Sequence, residues 1–404
     1  MFKERIKTHH SAMSEGKKYV AGMGTPHTAL MNVNEHDDRI STIYIHVPFC
    51  NKICSFCNMR RSLQKPAENY ADLVVREIEQ YAKLPYIKTT TFDAVYFGGG
   101  TPTTLSVDAL SKILKSLKAN LHFTDDAEFT IETTVTELTE DKMRILIENG
   151  VNRFSVGVQT FDDGGRKQMG RIGSGAAAYE RLKQLKSYDG VTVSMDLIYN
   201  YPEQTMESLM ADLDKITELD LDGFSMYSLI DMKETTIEKA QNEKNDEEMF
   251  YTISHTMKDR GYDFLELTKM VKGDRYRYIM NRHKGADTLP LGAGAGGSVN
   301  GLAMMNPIKL SEYEASIDNF ASRQGMLFLP EYVNVVRFKG DVQTAYLPRN
   351  VEMYGSNIEK YKRFLGELLE HDMVCETEDG YRLTEKGIFW GNTISRHLSG
   401  MMQN

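Results

Sequence analysis

The chain has 404 residues, 41% hydrophobic and 26% charged, which excludes dominant disorder and leaves room for two or three domains at roughly 100–200 residues each. A net charge of −9, from 48 Lys and Arg against 57 Asp and Glu, argues against a nucleic-acid binder driven by phosphate contacts. No apolar run reaches the length of about 18 residues that a membrane helix needs, and the opening residues lack a signal-peptide core, so a cytoplasmic protein is expected.

Residues 1–41 are polar and weakly periodic, and are expected to drape over the main body as an extension. From Ser41 a rhythm begins. Strands are predicted at Thr42–Val47, Phe92–Phe97, Glu128–Glu132, Asn152–Val158, Val191–Leu197 and Gly223–Leu229, from β-branched or continuous apolar runs. Helical spacing alternates with them at Asn69–Lys83, Val107–Leu117, Glu140–Asn149, Ala176–Lys186, Met206–Leu219 and Lys233–Arg260. Regular alternation of this kind builds a parallel sheet with helices outside, open or partly closed into a barrel, and chemistry then sits at the C-terminal strand ends. After about residue 262 the rhythm stops. Tyr262–Lys269 reads as a strand, Arg275–Arg282 as its possible partner, and Leu291–Ser298 as a glycine-rich turn. Residues 310–400 read as mainly helical, with a hairpin at Glu376–Leu383, like a small winged-helix module serving as lid or packing unit. The expected units are therefore 1–41, 42–300 and 301–404.

The cysteines carry the sharpest signal. Cys50, Cys54 and Cys57 stand as C-x3-C-x2-C directly after the first predicted strand, and Cys375 stands alone as a small apolar residue expected to be buried. Such clustering points to metal in a reducing compartment rather than to a disulfide framework. Three thiolates can hold an iron–sulfur cluster and leave one iron open. Zinc competes, with Cys375 or His46 as a fourth ligand, although no second cysteine pair exists.

The cysteine loop, together with Phe97–Thr103 (FGGGTPT), Ser155–Phe161 (SVGVQTF), Met169–Arg171 (MGR) and Asp196–Tyr199 (DLIY), resembles the radical S-adenosylmethionine (SAM) enzymes of the oxygen-independent coproporphyrinogen III oxidase (HemN-like) family. The resemblance spans roughly residues 42–300 and implies a partial (β/α)6 barrel in an α/β fold, with the C-terminal module appended. It implies a [4Fe–4S] cluster on Cys50, Cys54 and Cys57, two SAM molecules, and a flavodoxin- or ferredoxin-type electron donor. Glycines such as Gly99 and Gly100 allow close backbone approach to a ligand. By resemblance they, Tyr44, Glu132 and Ile230 match the first SAM site, while Phe56, Thr101, Gln159, Arg171 and Asp196 match the second. An Arg can clamp a carboxylate, but Arg171 and Asp196 at strand ends can equally form a buried ion pair.

Departures from the family bear on substrate. Coproporphyrinogen oxidases carry a further cysteine where Met59 stands here, preceded by Asn58, and the strand ending at Tyr199 runs into Asn200-Tyr201-Pro202 instead of Gly-Leu-Pro. Leu289–Ser298 and Glu385–Asn392 look more like the anaerobilin synthase branch, which implies methyl transfer with opening of heme. The expected partner is heme or another tetrapyrrole, with no nucleic acid and no membrane. Alternatives are a methyltransferase on another planar heteroaromatic, a coproporphyrinogen oxidase, or a heme-trafficking protein without turnover. His46 is expected to orient the cysteine loop. His27 and His283 are candidate heme ligands, Gly292–Gly297 with Met304 and Met305 a candidate tetrapyrrole wall, and Arg60 and Arg61 candidate propionate partners.

Overall fold

The computed structural model describes residues 1–7, 13–31, 40–57, 62–230 and 235–402. Its strands, in chain order, are β1 (Val20–Gly24), β2 (Ile40–Val47), β3 (Thr91–Gly99), β4 (His122–Thr134), β5 (Arg153–Gln159), β6 (Thr192–Tyr199), β7 (Gly223–Ser228), β8 (Asp263–Glu266), β9 (Lys269–Val271), β10 (Thr288–Leu291), β11 (Gly296–Val299), β12 (Leu302–Met305), β13 (Gly325–Phe328), β14 (Tyr346–Pro348), β15 (Val374–Glu376) and β16 (Gly380–Leu383). A 13-stranded sheet runs β1-β13-β12-β11-β10-β2-β3-β4-β5-β6-β7-β9-β8. Strands β10 and β2 through β7 pair in parallel. Antiparallel strands finish both edges.

The centre is parallel because each of β2 to β6 returns through at least one helix that covers the sheet. Ile43, Ile45 and Val47 of β2 are fully buried, as are Val95 and Phe97 of β3. These alternate positions share the helix-covered face, while Tyr44 and Tyr96 between them lie on the other face, which lines the cavity described below. The covering helix Val107–Asn120 starts where the Ser106 hydroxyl accepts from Ala109 N–H, and buries Leu110, Ile113, Leu114 and Leu117 at helical spacing. Truncating Leu114 to Ala would leave a cavity costing about 2–5 kcal/mol. Thr139, Ser174 and Thr205 cap the next covering helices by the same device.

Several expectations are corrected. Arg275–Arg282 is not a strand: Arg277–His283 is helical, entered through Tyr276 at φ 44 and clamped to the sheet through Arg277 and Asp93. The helix expected from Lys233 begins at Glu243, where the Asn242 side chain caps it. Tyr262–Lys269 splits into β8 and β9, which pair with each other. The N-terminal stretch contributes β1, paired to β13. The C-terminal residues are mainly helical as expected, around a small sheet ordered β14-β16-β15 in which β15 and β16 form the expected hairpin. Cys375 is exposed on β15 rather than buried, with its Sγ toward the Arg382 carbonyl at 3.6 Å. No helix among the described residues is long and apolar enough to cross a membrane.

Candidate active site

The C-terminal ends of β2 to β7 open on one cavity of about 610 Å³. After β2 the chain turns into the cysteine loop. Cys50 N–H donates to the Ser62 carbonyl at 2.9 Å and Ser62 N–H to the Pro48 carbonyl at 2.7 Å, pinning the loop's two limbs together. The tip is held by the segment after β5: Ser55 Oγ donates to the Gln168 carbonyl at 2.7 Å and Ser55 N–H to the Met169 carbonyl at 3.2 Å. Gly170, at φ 67, lies close against Ser55 and turns the chain so that Arg171 reaches back. Arg171 donates to Cys54 Sγ at 3.2 Å and to the Gly157 carbonyl.

Beyond β3, Gly100 N–H donates to the Val47 carbonyl and Thr101 N–H to the Phe49 carbonyl, both at 2.8 Å. The glycines serve this stitching. A Cβ on Gly100 would stand 2.5 Å from the Phe49 oxygen, and one on Gly99 would stand 2.6 Å from the His46 ring. Thr101 Oγ1 lies 3.6 Å from Cys50 Sγ. His46 supports the loop from beneath: its carbonyl accepts from Tyr70 O–H at 2.6 Å, and its Nδ1 lies 2.9 Å from the Tyr44 hydroxyl.

Glu132, near the end of β4, accepts from Tyr96 O–H at 2.6 Å and from Gly99 N–H at 3.3 Å. Burial pushes its carboxyl up to about 7, against the lowering effect of the Tyr96 bond. Burial also raises the Asp196 carboxyl on β6, opposed by Lys269, the Ser225 hydroxyl, Arg153 and Arg171. Behind Asp196 lies a buried ion triad. Arg153 grips Asp274 through Nε at 2.8 Å and Nη2 at 2.7 Å, while Lys269 Nζ lies 3.0 Å from the same carboxylate. Although burial opposes ionisation, Lys269 and Arg153 hold Asp274 well below the usual carboxylate range.

Every candidate of the cysteine and SAM sets lines this one cavity. Cys50, Cys54, Cys57, Phe56 and Thr101 come from the first two loops. Tyr44, Gly99, Gly100 and Glu132 come from β2 to β4, and Gln159, Arg171, Asp196 and Ile230 from the later units. Gln159 sits at φ 75, and burial leaves it 6% exposed. Other candidates lie elsewhere. His283 pairs with Glu266 at 2.6 Å and does not line the cavity. His27 packs its ring edge-on to Phe320. Met304 is core, accepting from Tyr81 O–H at 3.8 Å, and Met305 is 57% exposed. Of the glycine-rich turn only Gly296 reaches the cavity; a Cβ on Gly292 would stand 2.4 Å from the His46 oxygen. Asn58, Met59, Arg60 and Arg61 lie outside the described residues.

The structure adds residues that patterning missed. Tyr96, Tyr276, Tyr278 and Arg282 form one wall, and Arg5 and Lys7 reach the cavity from the N-terminal segment, both paired with Asp246 at 2.7 and 3.0 Å. The Tyr278 and Arg282 spacing of four was the available helical signal; the polar N-terminus offered none. The donor set fits a cluster. The thiols of Cys50, Cys54 and Cys57 open on a common space. Among the described residues no three His, Cys, Asp or Glu side chains gather around a single-ion position.

Comparison with known proteins agrees with this geometry. The sequence profile of the radical SAM superfamily matches residues 44–216. Anaerobilin synthase of Escherichia coli O157:H7 is 29% identical over 382 residues, covering 89% of this chain and 84% of that protein. Heme chaperone HemW of Lactococcus lactis is 26% identical, covering 88% of this chain and 96% of that one. The fold is shared with the solved coproporphyrinogen III oxidase (HemN) of Escherichia coli, at a TM-score of 0.76 and 22% identity over 91% of this chain and 90% of that one. Residues 44–216, which carry the cysteine loop and the strand ends around it, are therefore a radical SAM domain, the class whose members use a [4Fe–4S] cluster with S-adenosylmethionine.

Proposed function

We propose that the chain is a radical SAM methyltransferase that opens heme without oxygen, transferring a methyl group and releasing iron, with one SAM for the radical and a second as methyl donor. The observation that carries the reading is the relation to anaerobilin synthase, 29% identical over 89% of the chain, against 26% and 27% for two heme chaperones HemW that cover 88%. The cavity volume of about 610 Å³ falls within the range of sites for sizeable organic ligands.

Cys50, Cys54 and Cys57 would hold the cluster. With SAM bound, that group supplies one-electron reductive chemistry. The chain's own residues position and charge the site. Arg171 donates to Cys54 Sγ and so favours the thiolate. Glu132 offers a desolvated carboxyl to an amino or hydroxyl donor, its Oε1 already oriented by Tyr96. Gln159 and Asp196 present an amide and a carboxyl beside Gly157, where a Cβ would stand 3.1 Å from the Gln159 amide nitrogen. The buried Arg153–Asp274–Lys269 triad fixes Lys269, which lines the cavity with Asp196.

A second reading is a heme carrier without turnover, favoured by HemW proteins that align over 96% and 98% of their own length. Heme absorbance separates the two. Under anaerobic conditions with reductant and SAM, the enzyme bleaches heme over several equivalents of cofactor. A spectrum that survives supports the carrier.

A further inference from the structure

One wall of the cavity is left unexplained by the cysteine loop and by the residues around Arg171 and Asp196. It is presented by the helix Arg277–His283. The helix's back is clamped to the sheet. Arg277 N–H donates to Glu128 Oε2 at 3.0 Å, its Nε to Asp93 Oδ2 at 3.0 Å, and Asn281 Nδ2 to the same oxygen at 2.7 Å. Its front carries Tyr278, Ile279 and Arg282 to the cavity. The entry residue Tyr276 sits at φ 44 and ψ 52, a costly conformation for an aromatic side chain. It is held there by a bond from its N–H to Asp274 at 2.9 Å and by the Arg153 guanidinium 4.2 Å from its ring centre.

The wall is aromatic, with Tyr44, Tyr96 and Tyr278 all lining the cavity. The rings of Tyr44, Tyr96 and Tyr278 lie within 22–26° of parallel, with centroids 4.7–6.4 Å apart. Beside them stands Arg282, exposed and lining the cavity. The other cavity guanidinium groups are engaged: Arg5 with Asp246, and Arg171 with Cys54 and the Gly157 carbonyl. Among the described residues, Arg282 meets the Tyr278 hydroxyl at a long 3.4 Å and the same ring at 5.4 Å. Among the described residues it meets no carboxylate. A guanidinium carried on a clamped helix, next to stacked rings, suits a ligand bearing a carboxylate at its edge.

We propose that Arg282 anchors a carboxylate of the substrate beside the Tyr44–Tyr96–Tyr278 wall. This rests on the tetrapyrrole reading above. Atoms of the reaction are not involved, so Arg282 is a specificity residue.

The test titrates anaerobically reconstituted protein, without reductant, with iron protoporphyrin IX and with its dimethyl ester, read by absorbance. Wild type is expected to prefer the diacid. Arg282→Gln should weaken diacid binding by about 10- to 100-fold, the range for a lost hydrogen bond to a charged group. Ester and SAM affinities should stay unchanged, and iron content should match wild type. Arg282→Lys, which keeps the charge but not the fork, should retain a preference for the diacid even if the Gln variant fails to fold. Equal diacid binding by wild type and Arg282→Gln, an equal loss for diacid and ester, a loss confined to SAM, or a Lys variant blind to esterification would each overturn the assignment while leaving the tetrapyrrole reading intact. If wild type binds neither porphyrin, both fall together.

Discussion

Glu132→Gln isolates the electrostatics of the first SAM set. The wild-type carboxyl is buried and held at about 7 rather than its ordinary 4.5, chiefly by loss of hydration. Keeping it ionised in the folded protein therefore costs about 3 kcal/mol, the free-energy equivalent of that difference. The unfolded chain ionises Glu132 first, so between pH 4.5 and 7 the native state binds more protons than the unfolded one. Stability from this group is fully present below pH 4.5 and falls as pH rises to about 7, after which it is flat. Gln keeps the size and the bond from Tyr96 O–H but cannot ionise. The apo Gln variant should thus match wild type near pH 5 and exceed it at pH 8 by about 3 kcal/mol, a rise of several degrees in Tm at about 2–4 °C per kcal/mol for a domain of this kind. The same variant should lose SAM affinity at pH 8, because the acceptor charge is gone. Differential scanning calorimetry across pH 5–8 on apo protein, paired with SAM titration of reconstituted protein, measures both. A wild type and variant with parallel stability profiles would refute the desolvation argument, and unchanged SAM affinity would refute the assignment of Glu132 to the cofactor.

Other perturbations address separate parts of the site. Cys54→Ala should abolish both the cluster absorbance and reductive cleavage of SAM, measured by iron content and product chromatography; full cleavage by the variant would exclude Cys54 as a ligand. Arg171→Ala should keep the cluster yet weaken the second of two SAM equivalents by about 10- to 100-fold, seen in anaerobic calorimetric titration. Saturation of wild type at one equivalent would remove the methyl-donor site. Asp274→Ala should destabilise the domain by about 3–5 kcal/mol in denaturant titration, because the buried Arg153 and Lys269 lose their shared counter-charge. A change under 1 kcal/mol would show that the triad is solvated.

The central strands and their helices were legible because each follows a strong local rule. Thr42–Val47 is β-branched and buried on both faces, and Val107–Leu117 shows an apolar stripe behind a serine cap. That Gln159, Arg171 and Asp196 meet at one cavity was legible only through the resemblance, since spacing alone could not have brought them together. Gly99 and Gly100 line the cavity, and their missing Cβ atoms also make room for His46 and Phe49, a packing role the motif alone did not reveal. Other features were set by distant partners and left no local trace. Arg277–His283 becomes a helix because Asp93 and Glu128, far back in the chain, hold its first turn. Arg5 and Lys7 reach the cavity because Asp246 lies buried on a helix more than 200 residues away. β1 forms only because β13 offers it an edge.

The most direct measurement is an anaerobic reaction of the reconstituted protein with heme, a low-potential reductant and SAM carrying a deuterated methyl group, followed by mass spectrometry of the pigment and assay of free iron. The account predicts a linear tetrapyrrole that has gained the labelled methyl, one iron released per heme consumed, and no product when either SAM or reductant is left out. Heme recovered unchanged and unlabelled while SAM is cleaved would contradict it.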